Sequence, residues 1–350
     1  MSTSMLAAVL HAAHDLRVEE RPVPELVPGT VLVRVRRGGV CGSDVHYFEE
    51  GRVGSFVVTA PFVLGHEICG EVVAVASGVA APSVGQRVVV NPARQCGHCD
   101  YCRAGRGNLC RNLRMLGSAS TKPPTDGGFS EYLRVGAEQC YAMPAGMDDG
   151  LGAMMEPFAV ALQALARAGS VASRRVLVSG GGPIGLLVAI AARAFGATTV
   201  ALSDPVAERR QMGLRVGADA VLDPGAVSFA GDVTALADDG FDVLFEASGA
   251  AAALRQAFAL VRRGGTIVQI GSFSEPEIPL PMSQLLVREL QLLGSFRYGD
   301  VWPQAIRLVA SGRVNLEPLI SSVFPLRQAR EALELACARG GAVKVQLDLT

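Results

Sequence analysis

Four cysteines stand close together in the chain at spacings that suit one tetrahedral metal ion. Cys96, Cys99, Cys102 and Cys110 form the pattern C-x2-C-x2-C-x7-C. Four thiolates fill the coordination shell of Zn²⁺ and leave no open position, which is typical of a structural site. Such an ion pins a loop that has little apolar content of its own. An iron–sulfur cluster and a redox switch are the alternatives, and His98 inside the loop is expected to face solvent.

A second group of metal-binding residue types is dispersed in the sequence. Cys41 lies in a glycine-lined polar segment, and His66 and Glu67 form an adjacent pair in another. A lone cysteine or histidine more often packs in a core. That simpler interpretation suits Cys69, Cys140 and Cys337, which have no metal-binding spacing.

A glycine-rich turn predicts a dinucleotide site. Gly180, Gly182 and Gly185 form G-x-G-x-x-G directly after an apolar strand and at the start of a helical stretch. These glycines permit the tight turn, the approach of the pyrophosphate and close helix packing, while the helix N-terminus supplies free N–H groups. Asp204 lies 22 residues after Gly182, where a carboxylate binds the ribose hydroxyls of NAD. This favours NAD over NADP, although Arg209 and Arg210 could offset the repulsion of a 2′-phosphate. A glycine-rich turn without a ligand is the alternative.

The pattern of predicted strands and helices changes near residue 150. Before it, short β-branched runs at 29–36, 71–76 and 86–91 indicate a small, mostly antiparallel β domain. After it, six apolar strands alternate with helices, which predicts an α/β fold with an open doubly wound parallel sheet. The strands are expected at 174–180, 198–204, 219–223, 241–247, 265–271 and 290–295. A helix at 302–311 and a strand at 342–348 should pack back on the first domain, so we expect domains at 1–152 with 296–350, and at 153–295.

Composition excludes several classes of protein. Apolar residues make up 49%, or about 59% when the 40 glycines are added and the 5 tyrosines left out, and 32 basic against 33 acidic residues give a net charge of -1. This balance argues against binding to nucleic acid, and the high apolar content against disorder. The longest apolar stretch, 185–192, is too short to cross a membrane. With no secretory or transit pattern before Arg17, the prediction is a cytoplasmic protein with reduced cysteines.

Several motifs together resemble the zinc-dependent medium-chain dehydrogenases. The segment Gly65-His-Glu-Ile-Cys-Gly70, followed by Ala76 and Val79, is similar to the zinc signature of that family. The four-cysteine lobe, the nucleotide turn and the domain order extend the resemblance over essentially the whole chain. Segments 38–47, 60–67, 155–157 and 294–298 resemble the sorbitol dehydrogenases and, more closely, the L-idonate 5-dehydrogenases. Segments 49–54, 91–99 and 117–119 favour the idonate enzymes. The resemblance implies a GroES-like β catalytic domain and a Rossmann domain.

The same resemblance implies roles for individual residues. It implies Cys41, His66 and Glu67 as ligands of a catalytic zinc, with Glu156 near the metal either directly or through its water. Ser43 and His46 would relay the released proton, unless His46 is merely exposed. Tyr47, Arg297 and Tyr298 would lie by the substrate. The implied coenzyme residues, beyond the glycines and Asp204, are Pro183, Ile184, Arg209, Ile270, Gly271, Ser272, Ser295, Phe296 and Arg297.

The implied protein is an NAD(P)-dependent zinc alcohol dehydrogenase with one catalytic and one structural zinc. The expected reaction converts L-idonate to 5-keto-D-gluconate. The alternatives are a sorbitol- or xylitol-type polyol dehydrogenase and another secondary-alcohol dehydrogenase of the threonine type. A non-enzymatic NAD sensor or scaffold and a zinc-free quinone reductase are disfavoured by the complete set of catalytic residue types. A small-molecule substrate, a homo-oligomer (dimer or tetramer) and no nucleic-acid or membrane partner are expected.

Overall fold

The structure, a computed structural model, describes residues 3–275, 277–338 and 341–350. The strands are β1 (Ser4–Ala12), β2 (Asp15–Pro22), β3 (Thr30–Gly39), β4 (Arg52–Val53), β5 (Phe56–Val57), β6 (Phe62–Val63), β7 (Glu67–Val75), β8 (Arg87–Val90), β9 (Ala93–Arg94), β10 (Arg114–Met115), β11 (Tyr132–Gly136), β12 (Cys140–Ala142), β13 (Arg175–Ser179), β14 (Thr199–Ser203), β15 (Ala220–Leu222), β16 (Phe241–Glu246), β17 (Val261–Gln269), β18 (Gln291–Gly294), β19 (Ile320–Pro325) and β20 (Lys344–Asp348).

The α-helices are α1 (Gly42–Glu50), α2 (Asp100–Arg103), α3 (Asp149–Ala153), α4 (Met155–Ala168), α5 (Pro183–Ala194), α6 (Ala207–Arg215), α7 (Phe229–Leu236), α8 (Ala251–Leu260), α9 (Met282–Val287), α10 (Trp302–Ala310) and α11 (Ala329–Cys337). Short 3₁₀ turns occur at Gly107–Leu109, Ala137–Gln139, Glu317–Leu319 and Leu326–Gln328.

The chain divides into two compact units. The first contains Met1–Glu156, Trp302–Ala310 and Leu319–Thr350, and the second contains Pro157–Val301 and Ser311–Pro318. The boundaries predicted after residues 152 and 295 lie four and six residues before those of the units. Residues 311–318 fall in the second unit, although the sequence assigned them to the first domain.

The first unit is built around antiparallel strands. Its largest sheet has the order β12-β8-β7-β3-β20-β19, with β11 also paired to β3. The neighbouring pairs in this sheet are antiparallel except β19 and β20. The valine-rich runs of β3 and β8 are buried, as expected of strands whose branched side chains pack into a core. Strand β20 thereby brings the C-terminal segment against β3.

The second unit is a six-stranded parallel sheet of order β15-β14-β13-β16-β17-β18. Strand order reverses beside β13, which creates the switch point where ligands bind in open α/β sheets. Strands β13 and β14 are almost wholly buried, in agreement with their continuous apolar sequences. The expected α/β fold is confirmed, with all six predicted strands in one sheet. Among the described residues, no helix is long and apolar enough to cross a membrane.

Candidate metal and coenzyme sites

Three potential ligand atoms meet in the first unit. Cys41 immediately precedes α1, and His66 immediately precedes β7, whose first residue is Glu67. Their ligand atoms all lie within 4.8 Å of one another, and both His66 and Glu67 are buried. Zinc binds sulfur and nitrogen at about 2.0–2.3 Å, so a small closure of this triangle is enough to hold one ion.

Asp44 ties the two ligand-bearing segments together. Its Oδ2 accepts the Cys41 N–H at 2.9 Å, and its Oδ1 accepts the Gly65 N–H at 3.3 Å. The same Oδ1 lies 3.8 Å from Nδ1 of His66. Metal-binding histidines are commonly oriented by a carboxylate on the second ring nitrogen, and Asp44 has the position for this role.

The turn before His66 requires glycine. Gly65 has a φ of +89°, and a Cβ at this position would overlap the ring of Phe129. Only glycine adopts this backbone without strain and leaves space for the ring. The first glycine of the predicted zinc signature therefore shapes the entry of His66 into the site.

The charges around these ligands favour a cation. Burial raises the pKa of Asp44 above its ordinary range. Burial also lowers the pKa of His66, but the negative charges of Cys41 and Asp44 outweigh it and raise that pKa well above 6.5. A negative potential that holds a proton on a buried imidazole also attracts a divalent ion, which must displace that proton in order to bind.

Two further buried groups complete this charged cluster. Glu156, in the first turn of α4, is 5% exposed and acts electrostatically on His66 and on Lys344. Lys344 is the first residue of β20, and its Nζ lies 2.7 and 2.8 Å from the two carboxylate oxygens of Glu67. Burial lowers the pKa of Lys344, but Glu67 and Cys41 outweigh it, so that pKa is raised.

Helix α1 carries the residues expected to relay a proton. Ser43 is partly buried and His46 is exposed, and they stand three residues apart on one face of the helix. His46 Nδ1 lies 3.1 Å from Oε1 of Glu50, one turn further along. Tyr47 is on the buried face, where its hydroxyl accepts the Ala119 N–H at 3.0 Å. The Tyr47 hydroxyl thus supports the 118–120 segment within the fold.

The four-cysteine lobe has the geometry of one metal centre. The Sγ–Sγ distances are 3.9 Å for Cys96 and Cys102, 3.5 Å for Cys99 and Cys102, and 4.0 Å for Cys99 and Cys110. Tetrahedral bonds of about 2.3 Å to zinc would place the sulfurs about 3.8 Å apart. In the described chain all eight cysteines are free thiols. His98 is exposed, as predicted, and its Nδ1 contacts the carbonyl of Cys96.

The surroundings of the four cysteines change how readily each thiol ionises. Backbone N–H groups of His98 and Cys99 lower the pKa of Cys96 to about 6. Desolvation and the neighbouring Cys99 thiol raise the pKa of Cys102 to about 12. Four thiols this close cannot all ionise unless a cation compensates them, so metal binding and deprotonation occur together.

The predicted dinucleotide turn has the expected shape. Gly180 has a φ of +103°, and Gly182 caps α5, which begins with Pro183. A Cβ at Gly185 would overlap the carbonyl of Gly180, whereas a Cβ at Gly182 would meet nothing within 4 Å. The space beside Gly182 at the helix N-terminus is therefore open, as a pyrophosphate requires.

Asp204 is held at the end of β14 by its own surroundings. Its carboxylate accepts the Gly181 and Val206 N–H groups, each at 2.8 Å, and lies 3.6 Å from Nη1 of Arg209. Arg210 donates to the carbonyl of Asp204 at 2.7 Å and pairs with Asp223 at 3.1 Å. Arg209 thus faces the carboxylate, whereas Arg210 braces the loop.

A buried carboxylate organises the other side of the switch point. Glu246 ends β16 with no exposed surface and accepts hydrogen bonds from Ser248, Gly249 and Gln269. Its carbonyl accepts the Ile270 and Gly271 N–H groups at 2.8 and 3.0 Å. These contacts fix the turns after β16 and β17, which contain the predicted coenzyme residues Ile270, Gly271 and Ser272.

The remaining predicted residues follow β18 in the second unit. The Ser295 N–H donates to the carbonyl of Gln269 at 2.8 Å, which joins this segment to β17. Phe296 is exposed, and the Arg297 guanidinium lies over its ring at 4.9 Å. Arg297 has a φ of +52°, an uncommon backbone for a residue with a side chain, and Tyr298 is buried.

Sequence reasoning missed Asp44, Lys344 and Glu246. Asp44 had a local signal, because it stands three residues after Cys41 where it can cap the start of a helix. The sequence signal for Glu246 was weaker, because it is only an acidic residue at the end of an apolar strand. Lys344 had none, since its partner lies 277 residues away.

Comparison with known proteins identifies the family. The alcohol dehydrogenase GroES-like domain matches residues 27–145, and the zinc-binding dehydrogenase domain matches residues 183–311. The sorbitol dehydrogenase of Gallus gallus is 39% identical over 98% of this chain and 96% of its own. The chain belongs to the zinc-dependent medium-chain polyol dehydrogenase family. The L-idonate 5-dehydrogenase (NAD(P)(+)) of Escherichia coli K12 is 37% identical over 99% of both chains.

Solved structures agree with this assignment. The crystal structure of the Escherichia coli L-idonate 5-dehydrogenase superposes with a TM-score of 0.93 at 37% identity, covering 99% of each chain. A structure from Sinorhizobium meliloti 1021, described as a zinc-binding dehydrogenase bound to NADP, superposes with a TM-score of 0.90 at 36% identity. The match covers 99% of the present chain and 100% of the Sinorhizobium chain. The zinc cofactor and the nicotinamide coenzyme predicted for the chain are thereby confirmed. Zinc at the four cysteines stays a prediction, which membership of a zinc-binding dehydrogenase family supports over an iron–sulfur cluster.

Proposed function

We propose that this dehydrogenase oxidises the secondary alcohol of a sugar acid, converting L-idonate to 5-keto-D-gluconate with reduction of NAD or NADP. The observation that carries the proposal is the similarity to the Escherichia coli L-idonate 5-dehydrogenase, which runs over 99% of both chains. The segments 49–54, 91–99 and 117–119 support the same substrate.

A neutral polyol such as sorbitol or xylitol is the second candidate. The sorbitol dehydrogenases of Gallus gallus and Bacillus subtilis are 39% and 36% identical to this chain, as similar as the idonate enzyme. The two candidates share the chemistry at the reacting carbon and differ in whether the substrate carries a carboxylate.

In the proposed mechanism, residues of the first unit act on the hydroxyl group at the substrate carbon that is oxidised. Cys41, His66 and Glu67 would hold the zinc, which supplies a Lewis acid that lowers the pKa of the substrate hydroxyl. Asp44 keeps the His66 ring in position. Ser43 would accept the hydroxyl proton and His46 would pass it to solvent, an assignment that their spacing on α1 and the exposure of His46 support.

The second unit would bind the coenzyme. Bound NAD or NADP would supply the hydride acceptor for the alcohol carbon, the hydroxyl proton would leave for solvent, and the products would be a ketone and NADH or NADPH. Gly182 and the α5 N-terminus would hold the pyrophosphate, and Asp204 the adenosine ribose. The turns fixed by Glu246 would hold the nicotinamide end. Arg297 would pair with the carboxylate of the sugar acid, which its planar fork of donors suits.

A substrate panel tests the proposal. With NAD and zinc-replete enzyme, kcat/KM for L-idonate should exceed that for sorbitol and xylitol by about 10- to 100-fold. The reason is that a hydrogen-bonded charge contributes about 1.5–3 kcal/mol and each 1.36 kcal/mol is tenfold. The measurement is the initial rate of NADH formation with each compound and with L-threonine.

An arginine variant separates the two candidates. Arg297→Gln should lower kcat/KM for L-idonate by about 10- to 100-fold and leave that for sorbitol within about threefold. Arg307→Gln, at an exposed position of α10, is the matched control and should change neither. Faster turnover of sorbitol than of L-idonate by the native enzyme would assign the protein to the neutral polyols.

Coenzyme choice should depend on Arg209. Arg209→Ala should lower kcat/KM with NADP by about tenfold relative to NAD, because the arginine beside Asp204 offsets the repulsion of a 2′-phosphate. Arg210→Ala is the contrast, since its contacts to Asp204 and Asp223 serve either coenzyme. An equal loss with NAD and NADP in Arg209→Ala would remove this residue from coenzyme selection.

Cytoplasmic location and homo-oligomer formation stay predictions.

A further inference from the structure

Lys344 is a fully engaged ammonium group inside the protein. The residue is 2% exposed, and its Nζ contacts Glu67 Oε1 at 2.7 Å, Glu67 Oε2 at 2.8 Å and the carbonyl of Val40 at 3.0 Å. An ammonium has three donors, and these three acceptors match them. A lysine so deeply buried is rare unless it is paired, and here the partner is a residue of the predicted zinc shell.

Strand register brings this pair together. On β3, Gly39 pairs with Glu67 of β7 on one side and with Gln346 of β20 on the other. A Cβ at Gly39 would overlap the Glu67 carboxylate. The missing side chain at Gly39 therefore leaves the space in which the carboxylate and the Lys344 ammonium meet.

The anionic groups at this centre exceed the charge of one zinc ion. Cys41, Glu67 and Glu156 would supply one thiolate and two carboxylates around His66 when a metal is bound. A zinc ion carries two positive charges, and the described residues place the Lys344 cation in direct contact with one carboxylate of the set. Buried charges that lack a partner are strongly destabilising.

We propose that Lys344 is a positioning residue of the catalytic zinc centre. It holds the Glu67 carboxylate beside Cys41 and His66 and shares its negative charge with the metal. Lys344 and zinc are then two counter-charges of one carboxylate, so the loss of one makes the protein depend more strongly on the other. The inference depends on zinc at this centre and is independent of which sugar alcohol is oxidised.

The test measures stability with and without the catalytic zinc. Of the two candidate metal groups, the four cysteines should release zinc more slowly, so dialysis against a chelator until elemental analysis gives one zinc ion per chain yields protein that keeps only the four-cysteine zinc. In this form Lys344→Met should melt roughly 6–20 °C below the native protein, because a buried carboxylate loses its partner. Added zinc should raise the Tm of Lys344→Met more than it raises that of the native protein, by about 6 °C or more.

Two further variants keep the test decisive. Lys344→Arg retains the cation and should show a zinc-dependent rise in Tm close to the native one, even if Lys344→Met fails to fold. Lys344→Met combined with Glu67→Gln removes both charges and should recover most of the stability lost by the zinc-free single variant.

Cobalt substitution supplies a measurement that replacing Lys344 would not change if the lysine had only a structural role. Co²⁺ in place of the catalytic zinc reports ligand geometry through its visible absorption bands, which should change in Lys344→Met and remain native-like in Lys344→Arg. An equal zinc-dependent rise in Tm for Lys344→Met and the native protein, with unchanged cobalt bands, would overturn the proposal and leave Lys344 as a strand-packing residue. None of these readouts uses the substrate, so they stand apart from the test of the sugar-acid assignment.

Discussion

Alanine in place of His66 is expected to lower alcohol oxidation by about 10³-fold or more and to abolish zinc binding at one of the two candidate metal groups. His66 would supply the nitrogen ligand of the candidate metal group that it forms with Cys41 and Glu67. A Lewis acid contributes several kcal/mol to such a reaction, and each 1.36 kcal/mol is a factor of ten. Elemental analysis gives the zinc content, and initial rates of NADH formation give the turnover.

Another histidine of the same unit supplies the control. His46→Ala should keep both zinc ions, because His46 is exposed on α1 and outside the trio. Its turnover should fall by about 100-fold or more through loss of proton transfer, and imidazole in the buffer should restore part of it. If His66→Ala kept both zinc ions, or stayed within tenfold of native turnover, the metal centre would have to be placed elsewhere.

Motifs whose residues are close in the chain could be predicted from the sequence. The four cysteines between 96 and 110 and the glycines between 180 and 185 determine their own local geometry, and the structure places both groups as expected. The six strands of the second unit could be predicted too, because each carries an apolar run, and the central strands β13, β14 and β16 are almost wholly buried.

Contacts set by strand register could not be predicted. The Lys344 and Glu67 pair depends on β3 lying between β7 and β20, and no periodic pattern near Lys344 specifies that neighbour. Contacts of a helical side chain across the fold are set in the same way. The family resemblance implies that Tyr47 lies by the substrate, which stays a prediction, whereas its contact with the Ala119 N–H, 72 residues away, has no signal in the sequence.

The second large effect concerns the four-cysteine lobe. Cys99→Ser should lose the structural zinc and lower the Tm by roughly 6–12 °C, as measured by thermal unfolding. Closing a loop of 15 residues, the length from Cys96 to Cys110, is equivalent to about 3 kcal/mol, and each kcal/mol shifts the Tm by about 2–4 °C in domains of this size. The lobe has few buried residues to replace the metal, since Gly107 and Cys110 alone are buried between residues 96 and 110.

Trypsin should detect the opened lobe directly. Arg103 and Arg106 lie between the metal ligands, and cleavage after them should be slow in the native protein and rapid in Cys99→Ser, because proteases cut segments that unfold locally. Cys337→Ser also loses one thiol but lies outside both metal groups, so it should keep both zinc ions and resist cleavage in the lobe. Native zinc content and native resistance in Cys99→Ser would mean that the remaining three cysteines suffice. Loss of the zinc without faster cleavage would mean that the lobe is held by its own contacts, such as the Arg111 and Asp100 pair at 2.8 Å, rather than by the metal.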